Sequence, residues 1–371
     1  MRGKLTHQKA INRNILLNPG PATTSQRVKE AMIVEDICPR EEEFGQLMHD
    51  ICDGILEIGN GSDTHEVGLF VASGTGAMEA TLVSAIGDND RVLIITNGAY
   101  GLRMEQICKS YGLEYDTAFS FGDYPEPAKV KSVLNSGKFT HLAIIHHETS
   151  TGMMNPLEEI SAVCREVGVK LIVDAMSSYG AYPIDLQETP IDYIFSSSNK
   201  CIHGMAGLSF VVFHKDRIAE LKANQRAFYF DLYSQWNNLQ QKNQLRFTPP
   251  VQICYAFMEA ILETLEEGVE MRWRRYRANW QVLYDGFKEL GFQFFLPDAY
   301  QSKILLALDL NSKPDLDFND LHDFLYKEQI TIYPGVIPES NTFRMAVIGD
   351  LTLTDMRLVI EKVKEYFNRK D

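Results

Sequence analysis

Ile191-Asp-Tyr-Ile-Phe-Ser-Ser-Ser-Asn-Lys200 opens near an aspartate, runs through apolar residues, passes three serines and ends on a lysine. A short apolar run with β-branched and aromatic residues reads as a buried strand. Lys200 then falls at the strand's end, beside the small-residue turn Cys201-Ile-His-Gly204. A second strand-like run, Lys170-Leu-Ile-Val-Asp174, ends on a carboxylate 26 positions earlier. In open α/β sheets the carboxyl ends of strands line the ligand crevice. Those two charges are therefore the first candidates for chemistry. A desolvated lysine is an amine nucleophile, and an aspartate there can partner a protonated ring nitrogen.

The flanking sequence repeats the same unit. Gly68–Ala72 runs into Ser73-Gly-Thr-Gly-Ala-Met-Glu-Ala80, and Arg91–Thr96 into Asn97-Gly-Ala-Tyr-Gly-Leu-Arg103. His141–His146 leads to Glu148-Thr-Ser-Thr-Gly152 and a helix opening near Pro156, since proline is tolerated in a first helical turn. Gly207–Phe213 closes the series. Strands alternating with helices predict an α/β fold with a mostly parallel sheet. Ahead of it lie a polar stretch at 1–14, read as a mobile arm, and Pro19-Gly20-Pro21, which forces a sharply turned segment. Helical periodicity then covers 26 to about 65, interrupted near Cys38-Pro39. Past about 250 the character changes to one long helix over 251–290, a strand at 303–309, a helix at 316–328, short strands near 330–334 and 342–346, and a last helix from about 353. The expected organisation is an N-terminal arm (1–25), a large domain (26–255), and a small α+β C-terminal domain with its linking helix (256–371).

Composition narrows the function. The chain has 371 residues, 45% hydrophobic and 23% charged, with a formal charge of −14. Nucleic acid binding needs clustered Lys and Arg, so that charge argues against it. Any anionic ligand must be held by local donors against the global field. Six cysteines stand singly at 38, 52, 108, 164, 201 and 254. Without a C-x-x-C they argue against a metal site or disulfide framework and for a reducing cytoplasm. No apolar run reaches the ~18 residues of a membrane span, and Met1–Lys9 lacks the apolar core of a signal peptide.

Ser73-Gly74-Thr75-Gly76 joins a strand to a helix N-terminus, where free N–H groups favour an anion. The spacing G-x-G-x-x-E and the absence of a following lysine disfavour dinucleotide and P-loop readings, and a single phosphate fits better. Taken separately, each piece has a plain structural role: a tight turn at Ser73, an N-cap at Asp174, a solvated strand end at Lys200. Together on one predicted sheet edge they describe a pyridoxal phosphate pocket, with phosphate on the helix N-terminus, Asp174 on the pyridinium N–H and Lys200 as the Schiff-base lysine. Tyr100 covers one ring face or is a core tyrosine, and Thr149 donates to the ring hydroxyl or caps its turn. Arg344 is a fork for a substrate carboxylate or a surface arginine. His146-His147-Glu148 is rejected as a metal site, because adjacent strand residues point to opposite faces and no further ligand stands at metal spacing.

Nearly the whole chain, from Leu16 to the last helix, resembles the class V (fold type I) aminotransferases. The carrying segments are Leu17-Asn-Pro-Gly-Pro21, Ser73-Gly-Thr-Gly-Ala-Met-Glu79, Asn97-Gly-Ala-Tyr-Gly101 with Arg103, His147-Glu-Thr-Ser-Thr-Gly152, Asp174-Ala-Met-Ser-Ser178, Ser198-Asn-Lys-Cys-Ile202, Asp231-Leu-Tyr, Arg246-Phe-Thr-Pro249 and Phe343-Arg344. Within the class, the segments at 146–153, 174–178 and 198–202 resemble the 2-aminoethylphosphonate–pyruvate transaminase group. The resemblance implies PLP-dependent transamination from 2-aminoethylphosphonate to pyruvate, giving phosphonoacetaldehyde and L-alanine. It also implies a homodimer with shared active sites. By position it implies catalytic roles for Lys200 and Asp174. Cofactor contacts are implied at Ser73, Gly74, Thr75, Tyr100, Thr149, Met176 and Ser198, and at Thr248 reaching in from a second subunit. Substrate contacts are implied at Arg344 and Gly20. Leu245 stands where some relatives place a phosphate-binding tyrosine. A broader alanine/serine–glyoxylate or –pyruvate aminotransferase would share every cofactor residue. A cysteine desulfurase would need a late nucleophilic cysteine, and none follows Cys254.

Overall fold

The computed structural model of the chain describes residues 15–333, 337 and 340–369; the arm expected at 1–14 lies outside them. In chain order come β1 (Ile15–Leu17), α1 (Gln26–Glu30), α2 (Glu42–Ile58), β2 (His65–Phe70), α3 (Gly74–Ala85), β3 (Val92–Ile95), α4 (Ala99–Tyr111), β4 (Tyr115–Ala118), α5 (Pro127–Ser136) and β5 (His141–Ile145). A short hairpin, β6 (His147–Glu148) and β7 (Met153–Met154), precedes α6 (Leu157–Val167), β8 (Lys170–Asp174), β9 (Tyr193–Ser197) and β10 (Ser209–His214). The strands β2 to β5 and β8 to β10 form one seven-stranded sheet in the order β2-β10-β9-β8-β5-β3-β4. Only β10 runs antiparallel to its neighbours, β2 and β9; the remaining pairings are parallel.

Both faces of this sheet are covered, which is why its strands are apolar runs rather than alternating ones. In β3, Leu93 and Ile95 join one buried cluster with residues of α2 and α6, while Val92 and Ile94 join another with residues of α3 and α4. Successive strand residues point to opposite faces, so a four-residue strand feeds two cores. With the parallel strands aligned, their carboxyl ends, and the loops that follow Phe70, Ile95, Ile145, Asp174 and Ser197, all emerge at one edge. That edge carries the site.

The chain continues through α7 (Ile218–Ala223), α8 (Leu232–Lys242), α9 (Val251–Glu267) and α10 (Val269–Glu289). The single helix expected over 251–290 is thus two. Gly268, at φ +76°, ends α9 with its N–H on Thr264 O and begins α10. A left-handed φ costs glycine little and breaks the helical run. Beyond it lie β11 (Gln293–Phe294), β12 (Leu305–Asp309), α11 (Phe318–Lys327), β13 (Ile330–Ile332), β14 (Thr342–Ala346) and α12 (Leu353–Asn368). An antiparallel β11-β12-β14 sheet packs with α10 and α12 around its own core. Ile15 and Leu17 belong to that core, because β1 pairs in parallel with β13. The segment after β1 then crosses back to the lysine: Ala22 N–H donates to Asn199 O at 2.9 Å.

Candidate active site

The sheet edge encloses a cavity of about 410 Å³ whose walls include Ser73, Gly74, Thr75, Tyr100, Thr149, Asp174, Met176 and Lys200. Five separate loops therefore deliver residues, far apart in sequence, to one place. Three further expectations fall elsewhere, and a fourth, Arg344, is not on the wall but bonds Thr149 O. Ser198 is buried with its Oγ donating to Met205 O (2.5 Å) and Leu208 O (3.1 Å). Ser197 and Asn199 line the cavity in its stead, since side chains alternate along an extended segment. Thr248 is exposed and outside this chain's cavity wall. Gly20 packs against the Lys200 side chain and is not on the cavity wall.

At one end α3 begins at Gly74 after Ser73, whose side chain caps none of the helix's amides. The first turn of α3 thus presents N–H groups that an anion can take. A Cβ on Gly74 would lie 2.3 Å from Met176 Sδ, so glycine is required for the Asp174-Ala-Met176 turn to close over the loop. Arg103 joins them from α4, its Nη1 donating to Thr75 Oγ1 at 3.2 Å and its guanidinium 4.8 Å from the Tyr100 ring centre.

The acid and the amine line the same cavity. Asp174 is 1% exposed, and one of its oxygens accepts the Met176 N–H at 2.7 Å. Burial pushes its carboxyl up to about 7; the neighbouring Glu148 adds to that, while the Met176 amide, Lys200 and Arg103 oppose it. Lys200 is held below the ordinary lysine range, chiefly by burial, with Arg344 and Arg103 adding to the effect and Asp174 opposing it. Its Nζ donates to Pro19 O at 2.5 Å. A Cβ on Gly20, at φ +124°, would sit 2.8 Å from that Nζ and 2.3 Å from Cδ. A lysine amine with depressed basicity, beside a carboxylate short of a cation, suits carbonyl chemistry.

The walls are positioned from behind. Glu148, fully buried, accepts the Tyr100 N–H at 3.1 Å and both the N–H and Oγ of Ser150, while Ser150 Oγ accepts the Ala99 N–H at 2.9 Å. Glu148 and Ser150 therefore satisfy the start of α4, which carries Tyr100 and Arg103. Gly98 leaves room for this: a Cβ there would be 2.2 Å from Glu148 Cγ. His147 lines the cavity with Nδ1–H donating to Ser177 O at 2.9 Å, and burial keeps the ring neutral by pulling it down to about 4. Its Nε2 is buried without a partner. Among the described residues no group of His, Cys, Asp or Glu is arranged to hold a metal ion. Arg344, 6% exposed on β14, donates from Nη1 to Thr149 O at 3.1 Å and lies 4.7 Å from the Tyr333 ring centre; its Nε is buried and unpaired. It therefore reaches the cavity rim through Thr149.

Sequence reasoning gave Arg103 no role in the site and dismissed His147 along with the metal reading. Arg103 was findable, because it stands three positions after Tyr100 and residues so spaced share a helix face. For His147 the strand alternation that excluded a metal pair also aims one of the two histidines at the ligand side.

Comparison with known proteins supplies the rest. A family model described as aminotransferase class-V matches residues 22–337. A 2-aminoethylphosphonate–pyruvate transaminase of Pseudomonas fluorescens (strain Pf0-1) is 38% identical over 354 residues, covering 95% of this chain and 96% of that protein. One of Bacteroides fragilis (strain ATCC 25285) is 39% identical over 357 residues, covering 95% and 98%. Among solved structures, an alanine–glyoxylate aminotransferase from Nostoc sp. superposes with a TM-score of 0.90 at 24% identity over 98% of both chains.

Proposed function

The chain belongs to the class V aminotransferase family, and we propose that it transfers the amino group of 2-aminoethylphosphonate to pyruvate, with pyridoxal 5′-phosphate as cofactor. The products are phosphonoacetaldehyde and L-alanine. The observation that carries this reading is the convergence, in one cavity, of an anion cradle, a buried acid and a desolvated lysine. The near-full-length likeness to transaminases of that name supports the substrate pair.

The residues fit the cofactor. The first turn of α3, Ser73 and Thr75 suit its phosphate, and Asp174 suits its ring nitrogen. When bound, PLP supplies an electron sink for the carbanion left at the substrate Cα. Lys200 is the amine that would hold the cofactor. Once the donor's amine displaces it, its freed Nζ would take the proton from the amine-bearing carbon of 2-aminoethylphosphonate. In the second half-reaction it would supply one to the Cα of the alanine formed from pyruvate. Burial lowers Lys200, which favours the free amine that acts as that base. Asp174 is costly as an unpaired carboxylate in this setting, and a cationic ring N–H is the partner that holds it charged. Tyr100 and Met176 bound the ring's space, Thr149 offers a hydroxyl at its edge, and Gly20 keeps the space beside Lys200 clear. Arg344 receives the substrate's anionic group, the carboxylate of pyruvate above all, because a guanidinium pairs carboxylates in a bidentate fork.

The same reading makes the protein a homodimer. Phe228 is 78% exposed and stands with Tyr229, Phe247 and Arg246 in an aromatic cluster beside the exposed Thr248. Such a surface suits a second copy, whose cavity Thr248 would then complete. Six unpaired cysteines fit a reducing compartment such as the cytoplasm. The test is alanine formation from 2-aminoethylphosphonate and pyruvate by purified protein, beside alanine with glyoxylate. Turnover of the second pair without the first would replace this reading with the broader aminotransferase one.

A further inference from the structure

Three cations surround the cavity, and each has a different setting. Lys200 Nζ is turned to Pro19 O, on the N-terminal segment. Arg344 is docked on Thr149 O and against Tyr333, on the small domain's side. Arg103 stands at the end defined by Ser73, Gly74 and Thr75. Among the described residues no carboxylate lies within ion-pair distance of Arg103; its recorded contacts are the Thr75 hydroxyl at 3.2 Å and the Tyr100 ring at 4.8 Å. Contrast Arg27, Arg272 and Arg275, each paired with glutamates. In a chain of formal charge −14, an arginine left without an acid on a cavity wall is a site for an external anion.

The bond to Thr75 says where that anion sits. A guanidinium can only donate, so Thr75 Oγ1 accepts from Arg103 and its own hydroxyl proton is free to point elsewhere. Thr75 belongs to the first turn of α3, whose amides Ser73 leaves uncapped. Hydroxyl, amides and guanidinium therefore converge on one point at the helix N-terminus. A dianionic phosphate needs both the dipole and a formal countercharge there, and the Lys200 amine is taken up by Pro19 O. We propose that Arg103 is the countercation of the cofactor's phosphate, supplied by the same chain that supplies the α3 cradle. This rests on the PLP reading above. It adds a residue outside the cradle's own loop, and it assigns Arg103 to the cofactor rather than to the phosphonate of the substrate, an anion of similar shape.

The test measures PLP binding to cofactor-free protein, by absorbance and by equilibrium dialysis, for wild type, Arg103→Met and Arg103→Lys. Losing a charge-assisted contact predicts about ten- to a hundredfold weaker PLP binding in Arg103→Met, with most of it restored in Arg103→Lys. Inorganic phosphate, as a competitor of PLP, should lose affinity in parallel. At saturating PLP the KM for 2-aminoethylphosphonate should stay within about threefold of wild type. Unchanged PLP affinity with a raised KM for 2-aminoethylphosphonate would overturn the proposal and give Arg103 to the substrate. Equal losses in PLP affinity for the Met and Lys variants, with lowered thermal stability in both, would overturn it in favour of a packing role. Wild type is the control for the underlying reading: if it takes up no PLP, that reading fails first, whatever the variants do.

Discussion

Removing the charge of Asp174 should make the cofactor-free protein more stable at pH 8 while abolishing its activity. Burial pushes this carboxyl from its ordinary 3.8 to about 7. Below pH ~4 it is protonated in both folded and unfolded chains and contributes no difference. As pH rises, the unfolded chain releases the proton first and the folded chain keeps it until about pH 7. Stability is therefore lost between those values and is level above them. The gap between 3.8 and about 7 corresponds to ~4 kcal/mol, a ceiling because water admitted by local relaxation softens it. Asparagine has nearly the same shape and keeps an oxygen for the Met176 N–H. Thermal unfolding of cofactor-free wild type and Asp174→Asn across pH 5 to 9 isolates this group from the others that titrate. The variant's advantage should be small at pH 5 and grow to several degrees at pH 8, by roughly 2 °C per kcal/mol for a large chain. PLP should reverse the order, stabilising wild type far more than the variant. A stability difference that ignores pH, or a variant less stable at pH 8, would refute the claim that an unpaired buried carboxylate is waiting for a cation.

Two further substitutions probe residues that support the same cavity. Gly20→Ala puts a methyl 2.3 Å from Lys200 Cδ at a backbone φ of +124°; crowding and strain together cost about 2–4 kcal/mol locally. Borohydride reduction followed by mass spectrometry should show a much smaller fraction of chains carrying cofactor on Lys200, and an undiminished fraction would mean the segment yields freely. Glu148→Ala strips the buried acceptor from the start of α4, at a cost of about 2–3 kcal/mol. Both a lowered Tm and an altered visible spectrum of bound PLP are expected, the latter because Tyr100 loses its fixed place. If neither moves, α4 is placed by packing alone.

The parts legible in the sequence were those where a local pattern coincides with a strand end. Asp174 and Lys200 each follow an apolar run, and Ser73-Gly74-Thr75 marks a strand-to-helix turn by composition. The strand before Lys200 nevertheless lies at Tyr193–Ser197, two residues later than its apolar core suggested. Its serines are buried: Ser196 Oγ bonds Met176 O at 3.3 Å, and Ser198 bonds the turn at 205–208. Periodicity sees them as polar and therefore outside the strand, because satisfaction by a distant loop is invisible to a local window. The division at Gly268 was missed for the opposite reason. Helical periodicity resumes at once on its far side, so a single left-handed residue leaves little trace in the pattern. Arg103 was underweighted because its value depends on an absence, the lack of a carboxylate partner, and absences of that kind exist only in three dimensions.

What holds the lysine in place comes from three remote stretches, and together they explain why the C-terminal β11-β12-β14 layer belongs to the site. Behind Lys200, the buried Arg272 of α10 donates to Cys201 O at 2.8 Å and to Glu267 at 2.7 Å. Tyr276, one turn further on, bonds His203 and also accepts the Gly349 N–H at 3.1 Å. Arg275 ties the same Glu267 to Gly349 O at 2.9 Å, and Asp350 N–H donates to Thr23 O at 2.9 Å. In front of the lysine, the segment holding Thr23 supplies Pro19 O and Gly20 to Lys200 itself. The loop after β9 is thus clamped between α10 and the N-terminal segment, and both are joined to the loop after β14, the strand that carries Arg344. A buried ion pair is poor evidence of added stability. Here its geometric effect is the relevant one: the amine that does the chemistry and the arginine that receives the substrate are fixed to one polar framework, so their separation is set by hydrogen bonds rather than by how two domains happen to pack.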